Sequence, residues 1–217
     1  MSVFDYVLEL MFPRKCIFCG KVTDKRDICN ECREKLPYTK GDETRQKLPF
    51  VDCCVSPLFY EDKLRESVLR YKFSGARANA VQYGKFMSEC VQNNLDYSGI
   101  DVISCVPLSR KRRRDRGYNQ SRLLAKEISG NLGIPEAELL KKVRDNPAQS
   151  GSKSSKERIV NVAGVYSMHS GADVEGKTVL LVDDIVTTGA TVSECARILR
   201  RAGAKCVFAV TLARYRD

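Results

Sequence analysis

From residue 53 onward, short apolar runs alternate with amphipathic stretches. Residues 53–60 read as a strand, and Leu64, Val68, Leu69 and Phe73 then recur at helical spacing. Residues 81–95 form a second helical stretch, 101–107 a short strand, 117–131 a helix and 139–143 another strand. Apolar runs at 162–166, 178–182 and 205–212 complete the strand set. A helix after residue 189 offers Val192, Ala196, Ile198 and Leu199 to a sheet. This succession predicts an α/β domain, a mostly parallel sheet flanked by helices, over residues 53–217. Residues 1–40 lack the rhythm and have too little apolar content for a core of their own. Polar residues 41–52 read as the linker between the two parts.

Composition supports this division. With 217 residues and 43% hydrophobic content, the chain can bury roughly 70% of its unfolded surface, which excludes intrinsic disorder and a disulfide-stapled miniprotein. No stretch approaches the ~20 apolar residues of a membrane span. Asp5 and Glu9 fall where a signal peptide would be positive and then apolar, so the expected location is the cytoplasm. Thiols stay reduced there, and paired cysteines more often mean metal than disulfide.

Ten cysteines make that distinction important. Cys16 and Cys19 form one Cys-x-x-Cys pair, and Cys29 and Cys32 form a second after nine intervening residues. Two such knuckles complete a closed tetrahedral thiolate shell, so the segment is expected to be a small ribbon built on structural zinc and to do no hydrolysis. Cys53, Cys54, Cys90, Cys105, Cys195 and Cys206 lack this spacing and read as small core residues. The single histidine, His169, reads as a solvated loop residue.

Charge points to an anionic partner. Lys and Arg total 37 against 27 Asp and Glu, and seven of the ten surplus charges fall within residues 101–160. The sharpest motif lies further on, where a buried run from Thr178 delivers Asp183 and Asp184, followed by Thr187, Thr188, Gly189, Ala190 and Thr191 at the start of a helix. Unpaired N–H groups at a helix start, small residues and threonine hydroxyls make a phosphate cradle. Paired carboxylates just before it suit a sugar diol, so the spacing describes a ribose 5-phosphate site. Thr191 with Glu194 has capping-box spacing. Neither the Gly-x-x-x-x-Gly-Lys nor the Gly-x-Gly-x-x-Gly fingerprint occurs.

The run from Val179 to Thr191 resembles the 5-phosphoribosyl 1-pyrophosphate (PRPP) motif of type I phosphoribosyltransferases. The whole chain resembles the ComF family through the Phe12 opening, the four-cysteine ribbon, the Arg114-to-Gln120 run and the PRPP motif. The resemblance implies a type I phosphoribosyltransferase fold with an N-terminal zinc ribbon and a link to DNA uptake in natural competence. It also implies that Asp183 and Asp184 hold the ribose hydroxyls, that residues 187–191 hold the 5-phosphate, and that Pro107, Leu108, Ser109 and Arg110 hold pyrophosphate. Residues 145–157 would be the loop that closes over PRPP.

The implied reaction is Mg²⁺-dependent transfer of 5-phosphoribosyl to an acceptor, such as a nucleobase, with release of pyrophosphate. The alternative is a non-catalytic PRPP-sensing or single-stranded-DNA-binding accessory protein. Arg112, Arg113, Arg114 and Arg116 would then contact phosphates, and Tyr118 would stack on a base. Either reading leaves room for a homo-oligomer.

Overall fold

The computed structural model describes residues 14–23, 27–144, 162 and 164–216. Strands β1 (Arg45–Leu48), β2 (Val51–Val55) and β3 (Leu58–Phe59) come first, then helices α2 (Asp62–Phe73) and α3 (Asn79–Asn94), which follow a short α1 (Asn30–Lys35) in the N-terminal ribbon. Next are β4 (Val102–Cys105), α4 (Arg110–Arg116), α5 (Gln120–Leu132), β5 (Leu140–Lys142) and β6 (Tyr166–Met168). The chain closes with β7 (Thr178–Val186), α6 (Ala190–Arg201) and β8 (Cys206–Arg214).

The main sheet has the order β1-β2-β8-β7-β4, and β3 continues the line of β2 along β8. All its pairings are parallel except β1 with β2. Strand β7 is apolar on both faces because both are covered. Leu180 and Val182 face a core with α2, α3 and α5, whereas Val179 and Leu181 face a second core with Val192, Cys195, Ala196 and Leu199 of α6. Burying each such side chain stabilises the fold by about 1.5–3 kcal/mol. Where α3 crosses α5, a Cβ added at Gly84 would lie 2.4 Å from Glu127 Cβ, so close packing there requires glycine.

Three expectations need correction. The runs at 139–143 and 162–166 do not join the main sheet: β5 and β6 pair with each other as a separate antiparallel ladder. The second of these strands starts only at Tyr166. Short apolar runs show that a strand exists but carry no information about its partner. The expected linker 41–52 contains β1 and the first residues of β2, an edge whose mixed polarity comes from its one exposed side.

The ribbon is also more than an appendage. Cys16, Phe18, Ile28 and Cys32 belong to the same core as Leu64, Tyr71 and Tyr83, so the ribbon acquires an apolar interior by docking on α2 and α3. Of the six unpaired-looking cysteines, Cys54, Cys90, Cys105 and Cys195 are buried, while Cys53 and Cys206 are half-buried. The expected closing loop at 145–157 lies outside the described residues.

Polar contacts fasten the ribbon to α2. Arg70 Nη2 donates to the carbonyls of Ile17 (2.9 Å) and Phe18 (2.8 Å), and the Ser67 hydroxyl also donates to Ile17. Hydrogen bonds from a charged donor contribute about 1.5–3 kcal/mol. Replacing Arg70 with alanine should therefore lower unfolding stability by about that amount and expose the ribbon to proteolysis first. Urea denaturation and limited proteolysis would check this, and an unchanged urea midpoint would show that the Arg70 hydrogen bonds do not hold the ribbon.

Candidate functional site

Parallel pairing of β4 with β7 brings two expected segments together. Cys105 lies opposite Val182, and Val106 N–H donates to Val182 O at 2.9 Å, so the stretch starting at Pro107 emerges beside the one starting at Asp183. Ligands of open α/β sheets bind outside these carboxyl ends.

At the end of β7 the two carboxylates have different surroundings. Asp183 Oδ1 accepts from the Ser121 hydroxyl and from Asp184 N–H, both at 2.8 Å. Burial, with the Asp184 charge adding to it, pushes the Asp183 carboxyl up to about 7 against the lowering effect of these hydrogen bonds. Asp184 instead pairs with Lys72 Nζ at 2.8 Å, with the two side chains only 13% and 17% exposed. Neither Lys72 nor Ser121 stood out in the sequence. Each lies on an amphipathic helix far along the chain from the motif, and no local spacing connects them to it.

The cradle loop follows directly. Thr187 is exposed, Thr188, Ala190 and Thr191 are half-buried, and Gly189 is the left-handed N-cap of α6 at φ 72°. Glycine is favoured here by that backbone angle, and a Cβ at Gly189 would also displace the Leu48 methyl that lies against it. The expected capping box is absent. Glu194 is drawn away to Arg197, at 2.7 Å through both nitrogens, and accepts from Gly164 N–H.

The segment Pro107, Leu108, Ser109 and Arg110 lines a cleft of about 560 Å³ that is also lined by β5 and the residues that follow it. Ser109 caps α4 by accepting from Arg112 N–H at 3.3 Å, and Asn119 braces the loop by donating to Val106 O at 3.2 Å. Arg110, Arg113, Lys141, Lys142 and Arg144 make the cleft strongly basic, and the exposed His169 sits at its edge. Asp183, Asp184 and residues 187–191 are not among its lining residues.

The basic run from Arg110 to Arg116 is a helix with two faces. Arg110, Lys111, Arg113 and Arg114 are exposed, whereas Arg112 and Arg116, one turn apart, are half-buried. Arg116 stacks over Phe73 at 4.7 Å and donates to Gln120 Oε1 at 3.0 Å. Tyr118 is unsuited to stacking on a base. It is 8% exposed, donates its hydroxyl to the Tyr71 carbonyl and lies under Arg77, because the turn after α4 directs it into the core.

The four ribbon cysteines converge: their sulfurs all lie within 4.8 Å of one another, and Cys19 and Cys29 are 3.7 Å apart. A tetrahedral shell with Zn–S of about 2.3 Å has edges of about 3.8 Å, so the cluster fits zinc in size and in ligand softness. Burial raises the Cys16 thiol, but N–H groups of the knuckles outweigh it and bring it down to about 6, whereas burial and its sulfur neighbours push the Cys32 thiol up. It is the one such cluster of metal-ligating side chains among the described residues.

The raised Asp183 carboxyl has a testable consequence. Its folded value near 7 exceeds the ordinary ~3.9, so the native state holds this proton more tightly than the unfolded chain. Its contribution therefore favours folding at acid pH and declines as pH rises from about 4 to about 7. Asp183→Asn should remove that decline and gain roughly 1–3 kcal/mol relative to wild type between pH 5 and pH 8, read from urea midpoints. Parallel pH profiles for the two proteins would contradict the assignment.

A family model described as a phosphoribosyl transferase domain matches residues 119–217, and one described as a double zinc ribbon domain matches residues 7–43. Competence protein ComFC of Streptococcus pneumoniae is 33% identical over 210 residues, which cover 97% of this chain and 85% of that protein. Competence protein F of Haemophilus influenzae is 29% identical, covering 92% and 90%. DNA utilization protein YhgH of Escherichia coli K12 is also 29% identical, covering 88% and 86%. Among solved structures, adenine phosphoribosyltransferase from Thermoanaerobacter pseudethanolicus aligns at 16% identity and a TM-score of 0.41, covering 79% of this chain and 96% of that one. With its N-terminal four-cysteine ribbon and type I phosphoribosyltransferase fold, the chain belongs to the ComF family.

Proposed function

We propose that this chain binds PRPP together with Mg²⁺ and transfers its 5-phosphoribosyl group to an acceptor, releasing pyrophosphate. The observation that carries the reading is the adjacency of three groups at the ends of β4 and β7: a carboxylate pair, a helix-start cradle and a basic-walled loop. Their order matches the diol, the 5-phosphate and the pyrophosphate of one ligand.

In this reading Asp183 and Asp184 accept hydrogen bonds from the two ribose hydroxyls, which compete with Lys72 for Asp184. The N–H groups at the start of α6 and the hydroxyls of Thr187, Thr188 and Thr191 hold the 5-phosphate. Pro107 to Arg110 and the cations around them receive pyrophosphate. The acceptor's electron pair forms a bond to the anomeric carbon as the carbon–oxygen bond to pyrophosphate breaks, and the departing electrons remain on pyrophosphate. The chain contributes orientation and fixed positive charge where that charge develops. Mg²⁺ would be held mainly by substrate oxygens and water and would supply further neutralisation.

The homologues' names, competence protein and DNA utilization protein, suggest a setting in DNA uptake. The outer face of α4 favours a second reading, single-stranded DNA binding or PRPP sensing without turnover. It presents Arg110, Lys111, Arg113 and Arg114 to solvent beside a basic cleft. Tyr118 takes no part in it.

Calorimetry with PRPP and Mg²⁺ tests the first reading. Wild type should bind, and the double variant Asp183→Asn, Asp184→Asn should bind at least roughly a hundredfold more weakly, because the charged acceptor of Asp184 and the carboxyl oxygens of Asp183 are both replaced by amides. Equal binding by both proteins would defeat it. For the second reading, oligo-dT affinity should fall steeply between 50 mM and 200 mM salt, and charge reversal at Arg113 and Arg114 should flatten that slope. No binding at the lower salt would eliminate it.

A further inference from the structure

Resting on the PRPP reading above, we propose that Asn119 and Ser121 are positioning residues. The helix turn they share is a spacer that holds the pyrophosphate loop at one distance from the carboxylate pair, so the site favours a ligand carrying diol and pyrophosphate together over either part alone. The Arg114-to-Gln120 run leads into this turn, and neither the basic outer face of α4 nor the buried Tyr118 gives the turn a role.

Strand pairing leaves a gap for such a spacer. The β4–β7 ladder ends where Cys105 lies opposite Val182 and Val106 N–H donates to Val182 O. Beyond that bond, no backbone hydrogen bond among the described residues joins segment 107–110 to segment 183–191. The relative position of the two subsites is therefore set by side chains.

The start of α5 supplies them. Gly117, left-handed at φ 76°, ends α4 and lets the chain enter the next helix at once, with Asn119 as its cap. Asn119 Oδ1 accepts from Ser121 N–H at 3.1 Å, while its Nδ2 donates to Val106 O at 3.2 Å, at the root of the pyrophosphate loop. Asn119 also lines the basic cleft. Ser121, 5% exposed, donates its hydroxyl to Asp183 Oδ1 at 2.8 Å. Between them, the buried Gln120 anchors the turn to α2. Its Nε2 donates to Lys72 O at 3.4 Å, and its carbonyl accepts from the Tyr71 hydroxyl at 2.8 Å. Lys72 in turn holds Asp184. A linked ligand gains over its separate parts only where the subsites are held at its own spacing, and this turn fixes that spacing before any ligand binds.

The test uses the zinc-loaded full chain. Calorimetry with Mg²⁺ compares PRPP, ribose 5-phosphate and pyrophosphate on wild type, Asn119→Ser, Asn119→Ala and Ser121→Ala. Serine keeps a capping oxygen for the helix start but is too short to replace the amide that reaches Val106 O. Asn119→Ser therefore cuts the span while preserving the cap, even if Asn119→Ala unfolds the helix start. Asn119→Ser should weaken PRPP roughly tenfold and leave ribose 5-phosphate and pyrophosphate each within about twofold of wild type. Ser121→Ala cuts the span at its other end and should weaken PRPP more than ribose 5-phosphate, with pyrophosphate unchanged. PRPP affinity unchanged in Asn119→Ser, or a loss matched by either half-ligand, overturns the assignment while leaving the PRPP reading standing. Failure of wild type to bind PRPP removes that reading and this one together.

Discussion

The arrangement depends on one turn of helix at the end of α2. Successive residues of a helix point about 100° apart, so Arg70, Tyr71 and Lys72 reach three different partners. Arg70 donates to the ribbon carbonyls, Tyr71 fills the core and donates its hydroxyl to Gln120 O, and Lys72 pairs with Asp184. The four-cysteine cluster and the carboxylate pair are therefore braced from the same few residues. A ribbon without a core of its own is stable here because α2 and α3 supply one, and in return it fixes the helix that carries Lys72.

This brace changes the meaning of the carboxylate pair. Two adjacent aspartates at a strand end would repel each other, and the fold resolves this asymmetrically. Asp184 keeps a cationic partner, whereas Asp183, held by Ser121 and by a backbone N–H, is driven toward its neutral form. Such separation of two neighbouring titratable groups is common where a site must handle protons or hydroxyl donors near neutral pH. The family assignment agrees with this geometry.

The positive surplus is likewise divided by structure. Part of it faces the cleft through Arg110, Arg113, Lys141, Lys142 and Arg144, and part turns outward on α4. Arg116 is spent on internal contacts with Phe73 and Gln120. A linear count of arginines therefore overstates what is available to any one anion, and helical periodicity determines which of them share a side.

The α/β alternation, the doubled Cys-x-x-Cys spacing and the carboxylate-to-cradle motif were legible along the chain because each is a local pattern whose chemistry lies within about fifteen residues. The family resemblance was legible for the same reason. Long-range pairing was not. Apolar runs at 140 and 166 carry no sign that they pair with each other, a polar run at 45–48 carries none that it edges the main sheet, and a cationic stretch gives no hint that Tyr118 turns inward. Lys72 and Ser121 reach the carboxylate pair only through packing, since side chains on helices distant in the chain meet the motif once the sheet is assembled. The sequence alone determined which chemistry the chain carries. Tertiary structure decided which side chains share that chemistry, because proximity across a sheet depends on strand order and burial, which no local spacing encodes.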